Sequence, residues 1–187
     1  MQQSHNARSP IVFDAEITNE AFSGYRALSA QTVASYKMLG RNAPDDAFPL
    51  APLLASLNDP LLKAGALIKP IPGYTDVIVH GQKDGFAWLL DASAPQLQKS
   101  WLFLNQRTLA NYVKSSGYNG GSIRLISCNT GACDAVAAQN FANKMNVEVL
   151  APTDTVWIHP SGRLSVGETQ YFNTGEWVSF FPKRPWE

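Results

Sequence analysis

The run Val77-Ile78-Val79 is apolar at three consecutive positions. A strand with one wet face alternates, so this run predicts a strand buried on both faces, as in a parallel sheet. Residues 86–90, 123–127 and 147–150 read as further strands, and residues 108–116 as a short helix closed by Gly117. Cys133, Ala137, Phe141 and Met145 step by four, with Ala138 and Ala142 widening the stripe. That spacing predicts an amphipathic helix over 133–145 with Cys133 on its buried face. The alternation of strands and helices argues for an α/β fold, a mainly parallel sheet sandwiched by helices.

The flanks depart from this plan. Residues 22–39 carry Phe22, Tyr25, Leu28, Tyr36 and Leu39 at helical spacings, and the segment 42–73 is punctuated by six prolines from Pro44 to Pro72. Prolines forbid long helices and central strands, so short helices and loops are expected there, with Asp59 as N-cap, Pro60 at the first helical position and Gly65 closing the turn. In the tail, residues 156–159, 164–166 and 177–181 read as short strands separated by Pro160-Ser161-Gly162 and Asn173-Thr174-Gly175, a small C-terminal β-hairpin or meander. The expected organisation is one domain: an N-terminal helical and proline-rich region, residues 1–73, packing on a core of residues 74–187.

Composition narrows the function classes. In 187 residues, 45% are hydrophobic, while 15 Lys and Arg balance 15 Asp and Glu, so the chain can bury a core and has no bulk attraction for nucleic acid or anionic lipid. The five tryptophans are scattered through predicted strands, which favours packing over a base-stacking surface. No apolar run approaches the roughly 20 residues of a membrane span. The polar N-terminus lacks the apolar stretch of a secretory signal, so any export is expected to depend on a dedicated secretion system, from a cytoplasmic pool. Two cysteines, Cys128 and Cys133, are too few for a disulfide framework.

Chemistry points to strand ends. His80-Gly81 and Ser127-Cys128 each close a predicted parallel strand, at the edge where sites assemble in open α/β sheets. A thiol and an imidazole delivered there form a nucleophile and proton-transfer pair. Gly81 lets a ligand approach the backbone and offers an N–H to an oxyanion. A position ahead of a helix N-terminus predicts a lowered pKa for Cys128, and labelling of Cys128 before Cys133. Cys128 with His159 is the rival pair, in the order used by deamidase-type enzymes, although the turn His159-Pro160-Ser161-Gly162 explains that histidine without chemistry. Cys128, Cys133, His80 and His159 match zinc-ligand spacing poorly, and no metal is expected.

A His-Gly after one apolar strand and a small residue followed by Cys after a second, 48 positions apart, resembles the caspase-like clan of cysteine peptidases. Within it the chain is most similar to autoprocessing domains of large bacterial toxins. The segments Ile123-Arg124-Leu125-Ile126-Ser127-Cys128-Asn129-Thr130-Gly131 and Ala151-Pro152-Thr153-Asp154 also resemble C-terminal modules of polymorphic bacterial toxins. The resemblance covers roughly residues 74 to 166. It implies a caspase-like fold, Cys128 as nucleophile, His80 as general acid, and the backbone N–H groups of Gly81 and Cys128 as oxyanion donors. It implies no third triad member. The expected activity is that of a secreted toxin or effector peptidase acting on a protein or peptide, with a cognate immunity or carrier protein as partner. A glutamine deamidase or transglutaminase, and a non-catalytic binding or delivery module, are the alternatives. The polyphosphate activator of the toxin domains requires a dense cationic surface, whereas this neutral chain has only scattered Arg163, Lys183 and Arg184, so no cofactor is expected.

Overall fold

The computed structural model describes residues 52–55, 59–89 and 101–183. The helix expected over 22–39 lies outside them. The described chain forms β1 (Leu53–Leu54), α1 (Pro60–Gly65), β2 (Tyr74–Gln82), β3 (Gly85–Leu89), β4 (Trp101–Leu104), α2 (Gln106–Ser115), β5 (Ser122–Ile126), α3 (Ala137–Met145), β6 (Val149–Pro152), β7 (Val156–Ile158), β8 (Leu164–Val166) and β9 (Trp177–Phe180).

Seven strands build one sheet in the order β4-β3-β2-β5-β6-β9, with β1 also on β2. The α/β class is as expected, but the sheet is mixed. The pairs β1–β2, β2–β5 and β5–β6 are parallel, while β2–β3, β3–β4 and β6–β9 are antiparallel. The reason is local. Gln82 pairs with Gly85, so Lys83-Asp84 is a two-residue turn and β2 returns at once as β3, which no parallel connection could do. In the tail, β7 and β8 form a small hairpin, the first of the two forms expected, while the third expected strand, β9, leaves it and joins the main sheet on β6.

Each face of the sheet has its own apolar layer. On one, Val77, Val79, Phe86, Leu104, Leu125 and Val149 pack against Leu109 and Val113 of α2 and Ala138 and Phe141 of α3. On the other, Leu53, Ile78 and Ile126 meet Leu61 and Leu62 of α1, Ile68, and Val156 and Leu164 of the β7–β8 hairpin. Both faces of the central strands are covered, which explains the continuous apolar run 77–79. The helix expected from Cys133 begins only at Ala137, and Cys133 is exposed rather than core. Residues 133–136 belong instead to the loop that delivers α3, whose first N–H groups are capped by carbonyls: Val136 and Ala137 donate to Lys83 O, and Ala138 to Thr130 O.

One polar pair is set within this apolar architecture. Asp76 and Arg124 are register partners on β2 and β5, and Arg124 Nε and Nη2 each donate to an Asp76 oxygen at 2.6 Å. Both side chains are buried. Removing either partner strands a charge, so Asp76→Ala should lower unfolding stability by about 3 to 5 kcal/mol in denaturant titration. Glu148, just ahead of β6, ties three strands by accepting from Ser179, Ser122 and Tyr74 hydroxyls. These bonds, Ser179 foremost, hold its carboxyl below the usual range. A depressed folded-state pKa stabilises above the unfolded value, roughly 4.3, and the contribution disappears as pH falls through the folded one. The stability gap between wild type and Glu148→Gln, followed by unfolding at stepped pH, should therefore narrow below about pH 4.

Candidate functional site

The register of β2 and β5 organises the candidate site. Ile78 pairs with Ile126, and Asp76 with Arg124, so partners are 48 residues apart. Side chains alternate along a strand, which puts Asp76, Ile78 and His80 on one face of β2 and Arg124 and Ile126 on the same face of β5. His80 follows two residues beyond Ile78 on β2, and Cys128 two residues beyond Ile126, past the last pairing of the two strands. The strand β2 runs on to Gln82, so His80 and Gly81 lie inside it rather than at its end. They nevertheless lie beyond the last pairing with β5, where the two strands part. A Cβ at Gly81 would lie 2.8 Å from the Cys128 carbonyl oxygen and 2.8 Å from Thr130 Cγ2, so the Cys128 backbone is packed directly beside Gly81. This closeness is what a glycine permits and any larger residue would prevent.

His80 has a partner that sequence reasoning missed. Its Nε2 lies 2.7 Å from Asp59 Oδ2, and the Asp59 side chain is only 1% exposed while that of His80 is 31% exposed. Asp59 caps α1 as expected, its Oδ1 accepting from Leu61 N–H at 2.9 Å. One carboxylate therefore does two things: the first oxygen holds the helix N-terminus, and the second orients the imidazole. The signal in the sequence was an Asp-Pro cap with a spare oxygen, but nothing local shows that α1 packs over the end of β2. The ring of Trp101 meets His80 edge-on at 5.0 Å between centroids, which fixes the imidazole from another side.

Cys128 sits where β5 ends. Asn129 follows with φ +61°, a left-handed conformation asparagine tolerates, and the loop is tied to the end of β6 by Asn129 N–H to Asp154 O and Gly131 N–H to Pro152 O. A Cβ on Gly131 would lie 2.7 Å from Ala151 O, so this close crossing of the loop over β6 requires a glycine. Cys128 is half-buried, and its Sγ accepts from Val156 N–H at 3.4 Å. Burial pushes the thiol pKa up, the Val156 bond opposes this, and the negative charge of Asp154 adds to it. The expected lowering fails because α3 starts at Ala137 with its N–H groups already capped, too far along the chain to act on Cys128.

His159 stands apart from this cluster. Its Nε2 lies 2.8 Å from Ser165 Oγ. Ser165 pairs with Trp157, so His159 shares their face of the hairpin, opposite the face on which Val156 and Val166 pair. Val156 packs on the sheet, and the structure therefore turns His159 away from it. Among the described residues no group of three or more His, Cys, Asp or Glu side chains could hold a metal ion, and no helix is long and apolar enough to cross a membrane.

The model of one protein family, described as a domain of unknown function and designated DUF8616, matches residues 50–166. The chain belongs to that family. The matched span contains Asp59, His80, Gly81, Arg124 and Cys128 together, and ends at the last residue of β8. No curated protein and no solved structure matches the chain.

The two thiols should react in the reverse of the order expected from the sequence. Iodoacetamide at pH 7 should alkylate exposed Cys133 first, and the Cys128 rate should keep rising with pH beyond the ordinary thiol range near 8.5, as peptide mass spectrometry can follow. Asp154→Asn should shift the Cys128 profile towards lower pH.

Proposed function

We propose that the protein is a cysteine-dependent hydrolase of peptide bonds, with Cys128 as nucleophile, His80 as proton carrier and Asp59 as the residue that positions His80. The observation that carries this reading is the Asp59–His80 contact of 2.7 Å, on the strand whose Gly81 packs against the Cys128 backbone. An imidazole held by a buried carboxylate is a recurrent device for proton transfer, because the carboxylate fixes the ring and stabilises the imidazolium that forms.

The chemistry follows from the pieces. With Nε2 taken by Asp59, Nδ1 is the nitrogen left to accept the Cys128 proton. A thiol whose pKa is raised needs such a base at the moment of attack. Sulfur adds to the carbonyl carbon, and the resulting oxyanion requires donors. In a two-residue hairpin the residues next to the turn exchange both hydrogen bonds, so Gly81 and Phe86 form the following non-bonded pair and the Gly81 N–H points away from β3. That direction suits the oxyanion role, with the Cys128 N–H as second donor. Imidazolium then protonates the leaving amine, the C–N bond breaks, and water hydrolyses the thioester with His80 again as base.

A caspase-like arrangement agrees with a His-Gly and a Cys on neighbouring parallel strands, and a role as a toxin or effector domain rests on the sequence resemblance alone. The deamidase alternative built on Cys128 and His159 loses support, since His159 is bonded to Ser165 and faces the other way. Deamidation by Cys128 with His80 would use the same steps with ammonia as leaving group, and product analysis separates the two.

Cys128→Ala should abolish activity with the fold retained, and His80→Ala should come close to it. Asp59→Asn should reduce the rate by about 10² to 10⁴-fold through misplacement of the imidazole, while His159→Ala should be near neutral. The assay is cleavage of a denatured protein mixture or of the chain itself, read as new N-termini by mass spectrometry. Equal product from wild type and folded Cys128→Ala would leave a binding module as the better reading.

A further inference from the structure

The face of the sheet that carries His80 also carries a cavity at its other end. About 610 Å³ in volume, it lies between the strands and the tip of the β7–β8 hairpin. Its walls are apolar, formed by Ile71, Leu150, Leu164 and Trp177, and its cations are Arg124, Lys69 and Arg163. The volume is that of a site for a small organic molecule.

The charges are distributed unevenly. Arg124, 7% exposed, spends Nε and Nη2 on Asp76 and on the Lys69 carbonyl oxygen, while Nη1 takes no hydrogen bond among the described residues. A largely buried arginine that lines a cavity with one donor nitrogen to spare offers that nitrogen to a carboxylate. At the mouth, the exposed Lys69 and Arg163 side chains have no carboxylate partner among the described residues, and Asp76 is already committed to Arg124. The cavity thus has an excess of positive charge at its polar end and a Trp-lined apolar body.

We propose that this cavity binds a small amphipathic carboxylate, an apolar or aromatic body seated on Trp177, Leu150 and Leu164 with its carboxylate on Arg124, Lys69 and Arg163. The apolar walls disfavour a multiply charged phosphate ester, which would leave most of its oxygens facing carbon. The site lies away from Cys128 and is independent of the hydrolase reading.

Pyrenebutyrate and its uncharged counterpart pyrenebutanol provide the test, with fluorescence anisotropy on the full chain and inorganic phosphate as competitor. Pyrenebutyrate should bind saturably at one site, the alcohol at least tenfold more weakly, and millimolar phosphate should leave binding largely intact. The double variant Lys69→Gln with Arg163→Gln, at two exposed positions, should weaken pyrenebutyrate about tenfold, and Leu150→Trp should block both probes by filling the cavity. Absence of saturable binding overturns the proposal. So does equal binding of acid and alcohol, full displacement by phosphate, or unchanged affinity in the double variant. Cys128→Ala should bind as wild type, which keeps this outcome separate from that of the hydrolase.

Discussion

The parallel pairing of β2 with β5 is the constraint on which the rest of the structure depends, and the Asp76–Arg124 pair is what makes its register unique. Apolar residues alone would tolerate more than one alignment here, because Val77-Ile78-Val79 and Leu125-Ile126 can be buried on either face. A bidentate ion pair cannot shift. A one-residue slip would carry Asp76 and Arg124 to opposite faces, leaving two unpaired buried charges at a cost of several kcal/mol each. The pair contributes less to net stability than to alignment, since its desolvation offsets much of its attraction.

Everything proposed about function inherits that alignment. The pairing that joins Asp76 to Arg124 ends at Ile78 and Ile126, two residues before His80 on one side and Cys128 on the other, and just beyond it Gly81 packs against the Cys128 backbone. The face shared by these residues is covered by α1 and the β7–β8 hairpin, and each cover brings polar groups to it. From α1 comes Asp59, whose capping carboxylate reaches His80; from β7 comes the Val156 N–H bonded to Cys128 Sγ. At the other end, the hairpin tip with Gly162, Arg163 and Leu164 closes one wall of the cationic cavity. A single face therefore holds a thiol and imidazole at one end and a guanidinium at the other, separated by the Ile78–Ile126 layer.

The environment of Cys128 shows how tertiary packing can reverse a local inference. A cysteine before a helix suggests an activated thiolate, yet the intervening loop runs back across β6, and the N–H groups of α3 are spent on Lys83 and Thr130 carbonyls. Burial and the nearby Asp154 then favour the neutral thiol. Such a nucleophile depends on an adjacent base, which makes the anchoring of His80 by Asp59 chemically more consequential than it would be beside a free thiolate.

Much of the core was legible in the sequence because burial is written in periodicity. The continuous run at 77–79 announced a strand covered on both faces, the four-residue steps from Ala137 to Met145 a helix against it, and Asp59-Pro60 a capped helical turn. His80 and Cys128 were likewise visible, as polar residues closing apolar runs. The direction of pairing was not, although Lys83-Asp84-Gly85 hinted at a hairpin, because antiparallel return and parallel crossover use strands of similar composition. Nor was the surface position of Cys133, since a helical stripe can be extended on paper past the residue where the backbone leaves the helix. What only the tertiary structure decided were the long-range meetings: Asp59 with His80, Asp76 with Arg124, His159 with Ser165 rather than with Cys128. Sequence patterns record which side of an element is buried, whereas partners across the fold depend on how elements stack, a choice that no local period encodes.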